Sequence, residues 1–499
     1  MMFFRTSLKR SIFAPKRALE TKILRKGAGI LLTYDLSQRG GTPLYEYLYS
    51  QIRQDIIDGI LQAGERLPSK RDLARHLGVG VITVANAYDQ LLMEGFIRSE
   101  ERRGFFVENV SGYRRKPPKP VAPKEEPPEE PNEEFFADFK ANRSGVSHFP
   151  ASIWSRYMRE ALSLPTDNLL KTIPYNGLLE LRCAIAGYLS RSRGIEVAPS
   201  QIIIGAGTEY LYGRLMQMIG SGTTIAFEEP GYQRLVSISE SYGCKGRNIP
   251  IDEEGLIVSE LEKTEAAAVH VSPANHFPTG IAMPIQRRLD LFKWANRTKD
   301  RLIIEDDYDS EFRFNGKTRV PLFAQDANQK VIYINTFSKS LVPSLRISYM
   351  VLPPRLLKRY VETLSFYSCT VSSFEQYALA RFIDEGHFER HINRMRNFYR
   401  GQRQLLLNAL EESPLGKIST AIEHNAGTHF MLRVDTALSG KQIKEAGREQ
   451  NLNISLISDY YLNPDEVDSR TLVINYAGIE PHHVNEVLAR LGSIFPECG

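Results

Sequence analysis

An α/β fold with a mainly parallel sheet, preceded by a smaller and mainly helical N-terminal domain, is the architecture this sequence predicts. Three observations carry that reading. Short apolar runs at 201–205 (QIIIG), 223–227, 267–272, 301–305, 331–335 and 348–352 are separated by helical patterns, an alternation that favours parallel strands joined by crossover helices. The stretch 111–134, SGYRRKPPKPVAPKEEPPEEPNEE, almost lacks apolar residues and repeats proline, which marks a semi-rigid linker. At 499 residues the chain exceeds what one hydrophobic core covers.

The expected organisation is therefore a basic disordered extension over 1–31, a small domain over 32–110, the linker over 111–134 and the α/β domain over 135–499. In polyproline II, at about 3.1 Å per residue, residues 117–131 span roughly 45 Å and hold the two domains apart. The extension carries Arg5, Lys9, Arg10, Lys16, Arg17, Lys22, Arg25 and Lys26 against a single acid, Glu20. That composition fits a disordered basic arm or an upstream extension from a mis-called start codon, with an organelle transit peptide as the alternative.

Composition sets limits on function. A net charge of +4 over a chain this long is too small to argue for nucleic acid, so any such argument rests on a local motif. Cys183, Cys244, Cys369 and Cys498 lie far apart without companion histidines at ligand spacing. They read as reduced structural thiols of a cytoplasmic protein, with no metal site. No apolar run is long enough to span a bilayer, so no membrane partner is expected.

In the small domain, Leu44, Leu48, Ile52, Ile56 and Ile60 recur at helical spacing before Gly64 breaks the chain. Ser69 followed by Asp72 forms an N-cap signal for a short helix ending at Gly78. After a tight turn, Val81 to Glu94 forms a further helix closed by Gly95, and Phe96–Val107 alternates around Gly104 as a two-stranded wing. Helix, short helix, turn, helix and hairpin make a winged helix-turn-helix.

The large domain concentrates chemistry between 301 and 346. A buried-type strand runs into Glu305, Asp306, Asp307 and Tyr308, and acids at a strand's carboxyl end face a ligand crevice. A second strand delivers Thr336, Phe337, Ser338 and Lys339, with Arg346 seven residues on. Carboxylate, tyrosine, lysine and arginine together are the parts that a pyridoxal phosphate site needs. The lysine forms an imine, the carboxylate keeps the pyridine nitrogen protonated, the phenol donates to the ring oxygen and the arginine grips the phosphate. Taken singly, each fragment has a plainer reading, such as a solvated turn or a magnesium site for the run of acids.

Six segments in order, PYNGLLELRCAI (174–185), QIIIGAGTEYL (201–211), EEPGYQR (228–234), SPANHFPTG (272–280), IIEDDYDSEFRF (303–314) and TFSKSLVPSLR (336–346), resemble the fold-type-I aminotransferases. With RLPSKRDLARHLGVGVITVANAYDQLLMEGFI upstream, the chain resembles the MocR/GabR subgroup of the GntR-type transcription factors from Leu32 to its C-terminus, the linker excepted.

That resemblance implies roles. Lys339 carries the cofactor, Asp306 meets the pyridinium nitrogen and Tyr308 the phenolic oxygen. Ala206, Gly207 and Thr208 open a helix whose amino terminus suits a phosphate, completed by Thr336 and Arg346. Tyr232 stacks on the ring, and Arg234 lies nearby as an effector contact. In the small domain, Arg66, Lys70 and Arg71 meet DNA phosphates, Thr83 and Asn86 read the major groove, and Arg102 and Gly104 form the wing tip.

The sequence also departs from the pattern. Phe277 stands where an asparagine precedes the P-T-G triplet, leaving Asn275 to supply the ring hydrogen bond. Val473 replaces the late arginine that grips a substrate carboxylate, with Arg470, Arg234 or His429 left to compensate. Gly80-Val81 replaces a Ser-Arg pair at the third helix, removing an N-cap. The implied protein is a regulator that senses pyridoxal phosphate or an amine or amino acid reacting with it. Its genes belong to vitamin B6, amino-acid or GABA metabolism, and it acts as a homodimer with domains swapped head to tail on double-stranded DNA with repeated half-sites. A working aminotransferase with an appended DNA-binding domain is the alternative.

Overall fold

A computed structural model of the chain describes residues 22–26, 29–110, 112, 134–140, 148–163, 171–314, 319–424, 426–467 and 469–496. The chain divides into two compact units, Met1–Asn132 and Glu133–Gly499. Residues 1–21 and nearly all of the expected linker lie outside the described residues.

In the small unit the helix Leu44–Ile57 buries Leu48, Ile52 and Ile56. The apolar stripe stops there: Gly59 turns the chain at φ 74°, Ile60 is exposed and Leu61 takes the buried place instead. Ser69 accepts the Asp72 N–H and caps Lys70–Leu77, which closes on left-handed Gly78. Val81–Met93 follows, and Ile97–Glu100 pairs antiparallel with Gly104–Val107 as the wing. Part of the stretch expected to be a disordered extension is instead a hairpin, Lys22–Lys26 against Gly29–Thr33. Ile30 packs on the core of this unit and Leu32 is fully buried in it. The apolar run ILLT therefore outweighs the basic composition that suggested an arm. Just beyond, Tyr34 donates 2.8 Å to the buried Asp55 carboxylate and ties the hairpin to the first helix.

The large unit is built on an eight-stranded mixed sheet. In spatial order the strands are Ile202–Gly205, Ser348–Val351, Val331–Thr336, Leu302–Asp306, Ala268–Val271, Thr224–Glu229, Lys245–Asp252 and Gly255–Leu256. The five from Val331–Thr336 to Lys245–Asp252 are parallel, and Ser348–Val351 runs antiparallel to both neighbours. All six strands expected from sequence are present. Lys245–Asp252 was not anticipated, because its sequence KGRNIPID is mostly polar and only partly buried.

Neighbouring residues on each strand enter different cores. Leu302 and Ile304 join the cluster under the helices Thr208–Ile219 and Pro354–Leu364, while Ile303 joins the one around Trp294. Two buried faces explain the near-continuous apolar runs. A separate antiparallel sheet of Ser419–Ile422, His429–Val434 and Thr471–Asn475 packs in the C-terminal part with the 26-residue helix His387–Glu412. Among the described residues no helix is long and apolar enough to cross a membrane.

Between the sheet and the helix Leu179–Arg193 lies a buried ion pair, Arg193 Nη2 to Asp307 Oδ2 at 2.5 Å, both side chains almost wholly removed from water. Tyr333 also donates to Asp307, at 2.6 Å. Breaking such a pair strands a buried charge. Arg193→Met is therefore expected to lower stability by about 3–5 kcal/mol. Both tryptophans, Trp154 and Trp294, lie in this unit, so denaturant unfolding followed by tryptophan fluorescence reads it directly. An unchanged midpoint removes the pair from the unit's stability.

Candidate functional site

The strand Leu302–Asp306 ends in three acids that go three ways. Glu305 turns into the core and accepts the backbone N–H groups of Leu322 and Phe323 at 2.8 Å each. Asp307 takes the ion pair with Arg193. Asp306 alone of the three lines a cavity of about 450 Å³. The adjacent parallel strand Val331–Thr336 runs directly into the short helix Phe337–Ser340, which brings Ser338 and Lys339 to the same cavity.

On the cavity wall, Asp306 Oδ2 stands 3.6 Å from His270 Nε2. Its other oxygen, Oδ1, is buried without a hydrogen-bond partner. A buried carboxylate oxygen left open is costly unless a donor arrives. Lys339 Nζ lies 5.6 Å from the centre of the Tyr308 ring. Burial pulls its pKa from the usual lysine range to about 8, against the opposing attraction of Asp309 and Asp306. Tyr308 Oη accepts from Asn275 Nδ2 at 3.4 Å, and the same amide donates to both Asp309 oxygens at 3.0 and 2.8 Å. Burial raises Asp309 to about 7, with Asn275 and Lys339 pulling the other way.

The far side holds groups that burial keeps neutral. Burial lowers His276 to about 3 and His429 to about 4, and raises Glu228 to about 8. His276 and Glu228, 3.7 Å apart, are thus a neutral pair near pH 7. Phe277 meets His429 and Tyr460 edge-on at 5.1 and 5.0 Å between ring centres. With Val473 they form an aromatic and apolar wall.

At the opposite end, the helix Thr208–Ile219 begins at Gly207, whose φ is 96°. A Cβ there would lie 2.5 Å from Arg346 Nη2, so only glycine lets this arginine approach the helix terminus. Thr208, Thr336, Ser338 and Arg346 line this end. Thr336 Oγ1 is already engaged, accepting from Ser338 N and from Ser348 Oγ, whereas Ser338 Oγ is buried without a partner. Ala206 lies just outside, its N–H on Thr370 Oγ1. Glu209 bridges two arginines, 2.7 Å from Arg234 and 3.5 Å from Arg346.

Most of the large-unit residues singled out from sequence thus meet at one cavity, Tyr232 and Arg234 among them. Asn275 reaches it only through Tyr308, and Arg470 is exposed and does not line it. Sequence reasoning passed over His270 and Glu209. A histidine inside the apolar strand Ala268–Val271 and an acid in the first turn of a glycine-led helix were the available signals.

In the small unit, Arg66, Arg71, Asn86 and Arg102 are exposed and Thr83 is half-buried. The Arg66 guanidinium lies against Gly104, where a Cβ would sit 3.3 Å from its Nε. Lys70 is engaged within the unit, 2.8 Å from Asp89 and over the Phe105 ring. Gly80 gives the helix Val81–Met93 no side-chain cap, and Val81 and Ile82 stand exposed on its first turn.

Residues 44–107 match the bacterial regulatory proteins of the gntR family, and residues 147–491 match aminotransferase class I and II. The probable rhizopine catabolism regulatory protein MocR of Rhizobium meliloti is 32% identical, the alignment covering 92% of this chain and 95% of that protein. This chain belongs to the MocR-type GntR regulators. The HTH-type pyridoxine biosynthesis transcriptional regulator PdxR of Corynebacterium glutamicum is 31% identical over 84% of this chain and 89% of its own. A kynurenine aminotransferase structure from Pyrococcus horikoshii superposes with a TM-score of 0.64 at 25% identity, over 73% of this chain and 91% of that one. The large unit of this regulator therefore has the aminotransferase class I and II fold, whose members use pyridoxal phosphate.

The residues present fit that cofactor. The open Asp306 Oδ1 can accept the pyridinium N–H, and Ser338, Arg346 and the glycine-led helix terminus would hold the phosphate. Losing a charge-assisted hydrogen bond costs about 1.5–3 kcal/mol, so Asp306→Ala is expected to weaken pyridoxal phosphate binding by about 10- to 100-fold. Fluorescence titration of the cofactor-free protein measures it, and equal affinity would clear Asp306 of this role. A lysine reacts as its free base, and the lowered Lys339 pKa makes the free base the major form above about 8. Uptake of the cofactor, followed by stopped-flow absorbance, is expected to quicken about tenfold per pH unit below that point and to level off above it. A rate still climbing at about pH 10 would indicate an ordinary lysine.

Proposed function

We propose that this regulator holds pyridoxal phosphate on Lys339 and uses the loaded cavity as a receptor that sets the DNA affinity of its winged helix. The observation that carries the reading is the meeting of Lys339 and Asp306 at one cavity from adjacent parallel strand ends. When bound, the cofactor supplies an electrophilic carbon conjugated to an electron-withdrawing ring. This chain's residues do the rest: Asp306 holds a proton at the ring nitrogen, Tyr308 and Asn275 orient the phenolic oxygen, and Tyr232 covers the ring face.

Sensing is favoured over turnover by the wall at Val473. An amino-acid substrate needs a cation for its carboxylate, and valine offers none. Arg470, the nearest candidate in sequence, does not line the cavity, and Arg234, which does, is already paired with Glu209 at 2.7 Å. The ligand is pyridoxal phosphate itself or an amine that reacts at its carbonyl. The similarity to a pyridoxine biosynthesis regulator supports the first. Such a ligand changes DNA binding only through different affinities for two states of the protein. The functional form is a cytoplasmic homodimer, with domains swapped head to tail, on repeated half-sites.

A gel-shift on the DNA upstream of the protein's own gene, with and without pyridoxal phosphate, tests the reading. A retarded complex whose affinity changes at least threefold with the cofactor is expected, and Lys339→Ala should abolish both that response and the visible absorbance band. A response that persists in Lys339→Ala would defeat the assignment. Product formation from a panel of amino donors and keto acids separates the enzyme alternative, and steady turnover would establish it.

A further inference from the structure

A second cavity, of about 480 Å³, lies in the large unit away from the one just described, lined by Arg191, Arg193, Arg313, Arg319, Arg396 and Arg400. Among the described residues no aspartate or glutamate lines it. Six guanidinium groups around one space repel one another unless anions intervene. Arg396 and Arg400 are four apart on the helix His387–Glu412, a like-charge spacing that costs helix stability.

Three of these arginines donate to neutral groups. Arg396 donates to the Glu311 carbonyl and to Asn393 at 3.0 Å each. Arg400 donates to the Phe314 carbonyl at 2.8 Å, and Arg319 to the carbonyls of Ala282 and Met283 at 3.3 and 3.1 Å. Carbonyls aim these side chains without cancelling their charge. Burial, and then the positive charge of Arg313, lower the Arg319 pKa, a sign that the two cations face each other. Arg191 takes a partly exposed acid, Glu389, at 2.9 Å.

The deepest of the six is Arg193. Its side chain is only 2% exposed; Nη2 meets Asp307, while Nε and Nη1 are buried without hydrogen-bond partners. Guanidinium forks match phosphate oxygens in pairs, and the volume lies within the usual range of small-ligand pockets.

We propose that this arginine-lined cavity binds a small phosphorylated anion, at a site separate from the cofactor cavity. A chain of side chains leads from one cavity toward the other. Arg313 and Arg319 also line a narrow void shared with Asn275 and Asp309, the residues that contact Tyr308 and face Lys339. An anion that draws Arg313 and Arg319 toward it alters the field at Asp309, and so at the lysine.

Isothermal titration of the full-length protein with inorganic pyrophosphate tests the site. Arg346→Gln removes the other phosphate-like position and should leave binding within about threefold of wild type. Arg396→Gln/Arg400→Gln should weaken it at least tenfold with the far-ultraviolet circular dichroism unchanged. Should the double variant misfold, Arg400→Gln alone, at an exposed position, should weaken it at least about fivefold. The proposal is overturned if wild type shows no binding heat at millimolar pyrophosphate, or if binding is lost in Arg346→Gln and kept in the double variant. It is equally overturned if the double variant binds pyrophosphate normally and loses only DNA affinity, which would make the arginines a nucleic-acid contact.

Discussion

The buried contact between Arg193 and Asp307 governs the geometry of the large unit's chemistry. Asp307 follows the last residue of the strand Leu302–Asp306, and consecutive side chains on an extended chain point to opposite sides. Once Asp307 is held inward by Arg193 and Tyr333, Asp306 has one direction left, into the cavity. The pair also moors the end of the helix Leu179–Arg193 to the sheet. The pair places two charges out of water, and the hydrogen bond from Tyr333 helps to offset that cost.

Much of this was legible in the sequence. The six strands showed as apolar runs because two faces of the sheet are buried, and Ser69-Asp72 announced a helix start that the structure realises. Legibility failed where tertiary contacts override local pattern. Lys245–Asp252 is a strand by pairing rather than by composition. The hairpin ending at Thr33 was hidden by the basic residues around it. Of the acids 305–307 the resemblance singled out Asp306, and the sheet shows where its neighbours go, Glu305 to backbone amides and Asp307 to an arginine.

The site residues divide along the same line. Lys339, Tyr308 and Arg346 belong to a short stretch whose spacing carries information. His270, Glu209 and the wall of Phe277, Tyr460 and His429 come from separate parts of the chain, and nothing local says that they meet. Lys70 shows the converse: it stands at the start of the second helix, as expected, yet its ammonium is turned onto Asp89 and Phe105. Arg66 and Arg71 are left as the exposed cations nearest that turn.

Glu209, shared between Arg234 and Arg346, gives the cavity a built-in accountant of negative charge. One carboxylate cannot fully satisfy two guanidinium groups at once. A phosphate arriving at Arg346 competes with Glu209 there and leaves the acid to Arg234 alone, which lowers the appetite of Arg234 for any anion in the ligand. Occupancy at Arg346 would thereby be felt at its neighbour Arg234 through a single side chain.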